Sequence, residues 1–185
     1  MGKTTILKAL YNKMRDKFEG SAFILDTRAR AAKSKSGLVE LQKEILEKVL
    51  ISTDYQGLSI SNVDEGKSIL SRRLRGIKSL IILDDVDARS HVEALYDPLY
   101  TMAPESVLLL SSRNHLILKA CVGSVKDIFE LECLDNRDSQ RLFYWHAFRR
   151  PKPPPSLEEV SKKILKYGMR ACVSSRKTQA IFLGS

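Results

Sequence analysis

The chain has 185 residues, 43% of them hydrophobic and 29% charged, which suits one globular domain with a real core and excludes a disordered chain. Its longest apolar runs, Leu80–Leu83 and Val107–Leu110, are strand length and fall far short of the about 20 apolar residues of a membrane span. The net charge of +9 invites nucleic acid or an acidic membrane as partner, yet the basic residues are scattered over 13–17, 28–35, 72–78 and 149–177 without interleaved aromatics. That spread reads as a solvated basic face, so nucleic acid is disfavoured and no membrane partner is expected.

The start, Met1-Gly2-Lys3-Thr4-Thr5, lacks the apolar core of a secretory signal, and Ile6 stands where a myristoylation motif wants Ser or Thr. From Thr4 to about Lys17, Ile6, Leu7, Leu10, Tyr11 and Met14 recur at helical spacing. Ala22–Leu25 is a short apolar run closed by Asp26 and predicts a buried strand. The Ala/Lys/Ser-rich stretch 27–36 predicts a loop. Helical periodicity returns over Leu38–Leu50 and Asn62–Leu74, the latter with Asn62 or Asp64 at its cap. Leu80–Leu83 is a second buried strand, ended by Asp84 and Asp85. A helical segment around His91–Tyr100 precedes a third strand, Val107–Leu110, and an alternating run covers Asp127–Leu131. Continuous apolar strands separated by helices imply a parallel sheet with helices on both faces.

The texture changes near residue 135. Ser139–Phe148 is helical, with Leu142, Phe143, Trp145 and Phe148 available for packing; Pro151–Pro155 is an extended connector and Leu157–Tyr167 a further amphipathic helix. The expected division is therefore 1–134 for the α/β part and 135–185 for a partial helical subdomain. Cys121, Cys133 and Cys172 show neither disulfide nor zinc spacing and read as buried or idle thiols of a reducing compartment, the cytoplasm or nucleus.

Gly2-Lys3-Thr4-Thr5 is the end of a G-x-x-x-x-G-K-[ST] phosphate loop, whose first glycine and preceding strand would lie ahead of Met1. Gly2 lets backbone approach a phosphate, Lys3 supplies a point charge for the terminal phosphates, and the Thr4 hydroxyl can ligate magnesium. The helix starting here turns free amides toward the anion, Thr5 among them. Leu80-Ile81-Ile82-Leu83-Asp84-Asp85 fits a Walker B strand: Asp84 is placed for magnesium and Asp85 to polarise an attacking water. Arg113 follows the strand Val107–Leu110, on the sheet edge where ligands of parallel sheets bind, and can reach a terminal phosphate.

In this order the segments resemble the NB-ARC domain of plant nucleotide-binding leucine-rich-repeat (NLR) receptors, a P-loop NTPase fold followed by a small helical ARC subdomain. Phe18-Glu19-Gly20-Ser21-Ala22-Phe23 is similar to the segment after the first helix of that family. Leu80–Asp87 is similar to its kinase-2 motif, Leu108–Arg113 to the next, arginine-bearing motif, and Leu131–Phe148 to the opening of the ARC subdomain. Asp87 resembles the branch that carries a TIR domain. The resemblance covers residues 1 to 167 and implies an ATP/ADP switch with magnesium and slow hydrolysis. It implies that Gly2, Lys3, Thr4, Thr5 and Arg113 bind nucleotide, that Thr4 and Asp84 hold magnesium, and that Asp85 assists hydrolysis. The implied partners are nucleotide and the receptor's signalling and leucine-rich-repeat domains.

After Gly168 the sequence departs from the family: Met169–Thr178 stands where a Gly-Leu-Pro-Leu-like motif is expected, and no acid follows Glu159. The tail reads either as divergent or as frame-altered, and Leu183-Gly184-Ser185 again resembles the expected ending. Two other functional readings stand beside the switch. One is a fragment that binds no nucleotide and acts only as a regulatory or protein-interaction module. The other is a basic nucleic-acid binder, whose affinity would fall steeply with salt.

Overall fold

The computed structural model describes residues 2–50, 59–121, 128–131, 134–174 and 180–184, with side-chain surroundings up to Tyr167. It divides into two compact units, Gly2–Glu130 with Thr178–Ser185, and Leu131–Lys177.

The first unit is built on a five-stranded sheet of β1 (Gly20–Ile24), β2 (Ser79–Leu83), β3 (Val107–Ser112), β4 (Ile128–Glu130) and β5 (Ala180–Gly184). Their order is β1-β2-β3-β5-β4. β1, β2 and β3 are parallel, with Ala22 opposite Ile81 and Ile81 opposite Leu108. β5 runs antiparallel to both β3 and β4. β5, from the far end of the chain, thus lies between β3 and β4. The strand expected over Asp127–Leu131 is β4, and Asp127 lies outside the described residues.

The first unit's helices are α1 (Lys3–Met14), α2 (Thr27–Lys33), α3 (Gly37–Val49), α4 (Val63–Leu74), α5 (Arg89–His91), α6 (Asp97–Leu99) and α7 (His115–Cys121), with a π turn over Val92–Tyr96 joining α5 to α6. Alternation along the strands explains how they divide between the faces. Ala22, Ile24, Ile81, Leu83, Leu108 and Leu110 project to one side, into a buried cluster with Leu41, Ile45, Ile69 and Leu70 of α3 and α4. The intervening Phe23, Leu80, Ile82 and Leu109 are buried on the other side. There Tyr11 of α1 meets Phe23 edge to face, ring centroids 5.5 Å apart. Both faces are covered, so the strands need apolar residues at every position. Each fully buried leucine or isoleucine stabilises the fold by about 1.5–3 kcal/mol.

Two contacts fix how the α3 side packs. The buried Gln42 donates through Nε2 to the carbonyls of Val63 (3.0 Å) and Ala94 (2.9 Å), joining α3 to α4 and to the π turn. Gly66 lies against that amide, and a Cβ there would collide with it. At the N-terminus of α4, Asn62 is the cap, accepting from Glu65 N at 2.9 Å, while Glu65 accepts in turn from Ser61 N at 2.7 Å. The first bond satisfies an orphan amide of the helix, and the second ties down the residue ahead of the cap.

Two helices escape the sequence reading. The stretch 27–36 contains α2 rather than only loop: Asp26 turns the chain in the left-handed region (φ 51°), and Arg30 of α2 pairs with Glu44 of α3. Seven residues are too few to establish a period, so tertiary pairing decides the conformation. The seven residues of α7 escaped for the same reason; the Asn114 side chain accepts from Leu116 N at 3.1 Å, and Leu118 and Cys121 are buried. Tyr96 holds α7 by donating its hydroxyl to the Cys121 carbonyl. Burial pushes the Cys121 thiol up to about 12, consistent with an idle thiol. Cys133 lies outside the described residues.

The second unit pairs α8 (Asn136–Phe148) with α9 (Glu158–Ser174), joined by an extended Pro154 (φ −58°, ψ 146°) and a 3₁₀ turn at Pro155–Leu157. Asp135 caps α8 by accepting from Asp138 N at 2.7 Å. Tyr144 is the buried anchor, in contact with Phe143 and Phe148. Leu142 and Trp145, expected to pack, are 49% and 56% exposed. No helix among the described residues is long and apolar enough to cross a membrane.

Candidate functional site

Most of the expected site residues meet at one edge of the first unit, where β1, β2 and β3 end. Backbone bonds lace these ends together: Asp84 N donates to Ile24 O (2.9 Å), Thr27 N to Asp84 O (2.9 Å) and Val86 N to Ser111 O (2.8 Å). The residues just beyond the strands are therefore held on rigid elements, as a binding constellation requires.

Gly2 caps α1 at φ 103°, a conformation that favours glycine, and a Cβ built there meets nothing within 4 Å. Lys3 is only 7% exposed, and its Nζ reaches the Ser112 carbonyl at a long 3.5 Å. Among the described residues no carboxylate lies within ion-pair distance of this ammonium. Burial pulls its pKa below the ordinary value; Asp85 and Asp84 oppose the shift, while Arg113 and Arg28 add to it. A buried cation so weakly paired fits an anionic ligand.

Thr4 Oγ1 donates to Asp84 Oδ2 at 2.7 Å. Asp84 is 2% exposed, and its other oxygen accepts from Ser111 Oγ at 2.5 Å. The same Ser111 oxygen accepts from Asp85 N at 3.0 Å. Ser111 thereby sets both acids, a role the sequence reading missed because serine next to a strand end carries no signal of its own. Thr4 and Asp84 present hard oxygen donors side by side, which suits magnesium. Among the described residues no cluster of three or more His, Cys, Asp or Glu side chains forms a metal cage. An ion held at Thr4 and Asp84 would take its remaining ligands from phosphates and water.

Asp85 sits at φ 59° and is 14% exposed. Its carboxylate is bracketed by two arginines, Arg113 Nε at 3.2 Å from Oδ1 and Arg28 Nε at 3.3 Å from Oδ2. Arg28 was not among the expected residues, since it lay in a stretch read as loop. Thr5 is exposed, and among the described residues its side chain joins none of these bonds. A cavity beside Tyr96, Tyr100 and Met102 shares no residue with the cluster.

The NB-ARC domain family matches residues 1–152, over four-fifths of the chain and every residue of the cluster. The chain belongs to the NB-ARC family. TMV resistance protein N of Nicotiana glutinosa is 30% identical over 175 residues, 90% of this chain and 14% of the relative. Disease resistance protein LAZ5 of Arabidopsis thaliana is 30% identical over 168 residues, and disease resistance protein RUN1 of Vitis rotundifolia 29% over 167. Each alignment covers 90% of this chain, and 14% and 12% of those relatives respectively. This NB-ARC chain thus spans only a small part of the length of the curated relatives it matches.

Proposed function

We propose that this NB-ARC chain is the nucleotide-binding part of an intracellular plant immune receptor, switching between ADP-bound and ATP-bound states with slow hydrolysis in the intact parent. The observation that carries the reading is the 2.7 Å bond between Thr4 and Asp84, set beside the buried and weakly paired Lys3. A bound nucleotide supplies the phosphate anions, and magnesium supplies positive charge on their oxygens. The chain's own groups then act around them. Lys3 neutralises the terminal phosphates, Gly2 and Thr5 offer backbone amides, and Thr4 and Asp84 hold the metal. Arg113 detects the terminal phosphate and Asp85 orients water. In this reading 1–134 is the nucleotide-binding part and 135–185 a partial ARC subdomain. Partners are the receptor's signalling and leucine-rich-repeat domains, in the cytoplasm or nucleus.

The competing reading is a regulatory module that binds no nucleotide and acts only through protein contacts. Calorimetric titration of the 185-residue chain with ADP and magnesium separates the two. The switch reading expects micromolar affinity that drops at least about tenfold in Lys3→Ala. No binding, with Lys3→Ala indistinguishable from wild type, selects the regulatory module.

A further inference from the structure

The geometry points to a second arginine in the switch: we propose that Arg28 contacts the terminal phosphate of a bound triphosphate, and that Asp85 is the resting partner both arginines leave to do so. The inference rests on the nucleotide-binding reading and goes beyond it, because it assigns Arg28 and gives Asp85 a role in the unloaded state.

Arg28 and Arg113 come from different strand ends, after β1 and β3, and converge on one carboxylate, each on a different oxygen. The backbone of Arg28 is anchored, its N donating to the Asp85 carbonyl at 3.2 Å. Its side chain is the free part: 47% exposed, with Nη1 also 3.7 Å from Asp87 Oδ2. Arg113 is 54% exposed and meets Asp85 through Nε. A guanidinium has five N–H donors in a planar fork, so each arginine can begin to engage a phosphate before it leaves Asp85.

Charge and exposure decide which partner wins. The arginines are half-exposed and free to swing while Asp85 is largely buried, and a phosphate oxygen cluster offers bidentate, charge-assisted bonds to each fork. Asp84 is not a competitor for the arginines, because Thr4 and Ser111 occupy its two oxygens. The charges of Lys3, Arg28 and Arg113 act on one another at this edge, and Asp85 is the group that holds the two arginines together when no phosphate does. A diphosphate, lacking the outermost group, leaves the Asp85 bracket closed; a triphosphate opens it. Arg28 therefore sets the preference for ATP over ADP.

The test is calorimetric titration of the full chain with ADP and with a non-hydrolysable ATP analogue, both with magnesium. Arg28→Ala is expected to lower the ratio of triphosphate to diphosphate affinity about tenfold, with ADP affinity changed less than about twofold. Asp85→Asn, which frees both arginines, is expected to raise the same ratio. Unchanged ratios in both variants, or an equal loss for both nucleotides in Arg28→Ala, overturn the assignment while leaving the nucleotide reading intact. Wild-type chain that binds neither nucleotide overturns both together. If Arg28→Ala fails to fold, Asp85→Asn alone decides, and a ratio that stays level or falls refutes the bracket.

Discussion

Thr4 and Asp84 lie 80 positions apart and share a 2.7 Å hydrogen bond. Helix α1 and strand β2 come together at this point, so the hydroxyl of a phosphate loop and the acid of a Walker B strand become neighbours. The proposed magnesium site needs that adjacency, and no local property of either segment provides it.

The bond predicts a magnesium effect. Asp84→Ala should abolish most of the magnesium dependence of nucleotide affinity, an effect of about tenfold or more, measured by titration with and without the ion. It should also destabilise the chain by about 1–3 kcal/mol, because Ser111 loses the acceptor for its hydroxyl. Retained magnesium dependence would contradict the assigned role of Asp84.

In the proposed switch, Lys3 is held at a cost to the fold. Burial disfavours its charged form, so Lys3→Met should raise the melting temperature of the nucleotide-free chain by a few degrees while abolishing ADP binding. A lower melting temperature would show that the ammonium is better solvated than its burial indicates.

His91 makes stability depend on pH. It is buried, and its Nδ1 accepts from Asp87 N at 3.3 Å. Burial is the leading cause of its lowered pKa, opposed by Asp87 and Asp85, so it falls below the ordinary 6.5. As pH drops, the unfolded chain takes up the proton first, and stability falls from about pH 6.5 until the folded-state pKa is passed. His91→Asn keeps an acceptor and should flatten this loss, read as urea midpoints at about pH 7.5 and about pH 5.5. Equal slopes in both proteins would exclude His91 as the titrating group.

Gly66 should tolerate no side chain. A Cβ at this position displaces the Gln42 amide from its bonds to Val63 and Ala94. Gly66→Ala is therefore expected to cost about 1–3 kcal/mol by denaturant melting. In Gln42→Ala/Gly66→Ala the two losses should sum to more than the double variant loses, since the collision is gone.

The strands β1, β2 and β3 were legible because burial on both faces demands unbroken apolar residues, and Ala22–Ile24, Leu80–Leu83 and Val107–Leu110 provide them. The long helices α1, α3 and α4 were legible from their period, and Gly2, Lys3, Thr4, Asp84 and Arg113 from motif order. The seven-residue helices α2 and α7 were not, because so short a segment takes its conformation from what it packs on. Arg28 was hidden with α2, and Ser111 by the neutrality of its residue type.

The sequence by itself determined the α/β class, the family and the residue types at the sheet edge, since hydrophobic period and motif spacing are local properties of a chain. Tertiary structure alone decided three relationships. It placed Ala180–Gly184 between β3 and β4, where strand pairing joins residues from distant parts of the chain. It set Ser111 between Asp84 and Asp85, and it closed Arg28 and Arg113 on one carboxylate. These contacts depend on strand order and register, which bring together loops that sequence separation keeps apart.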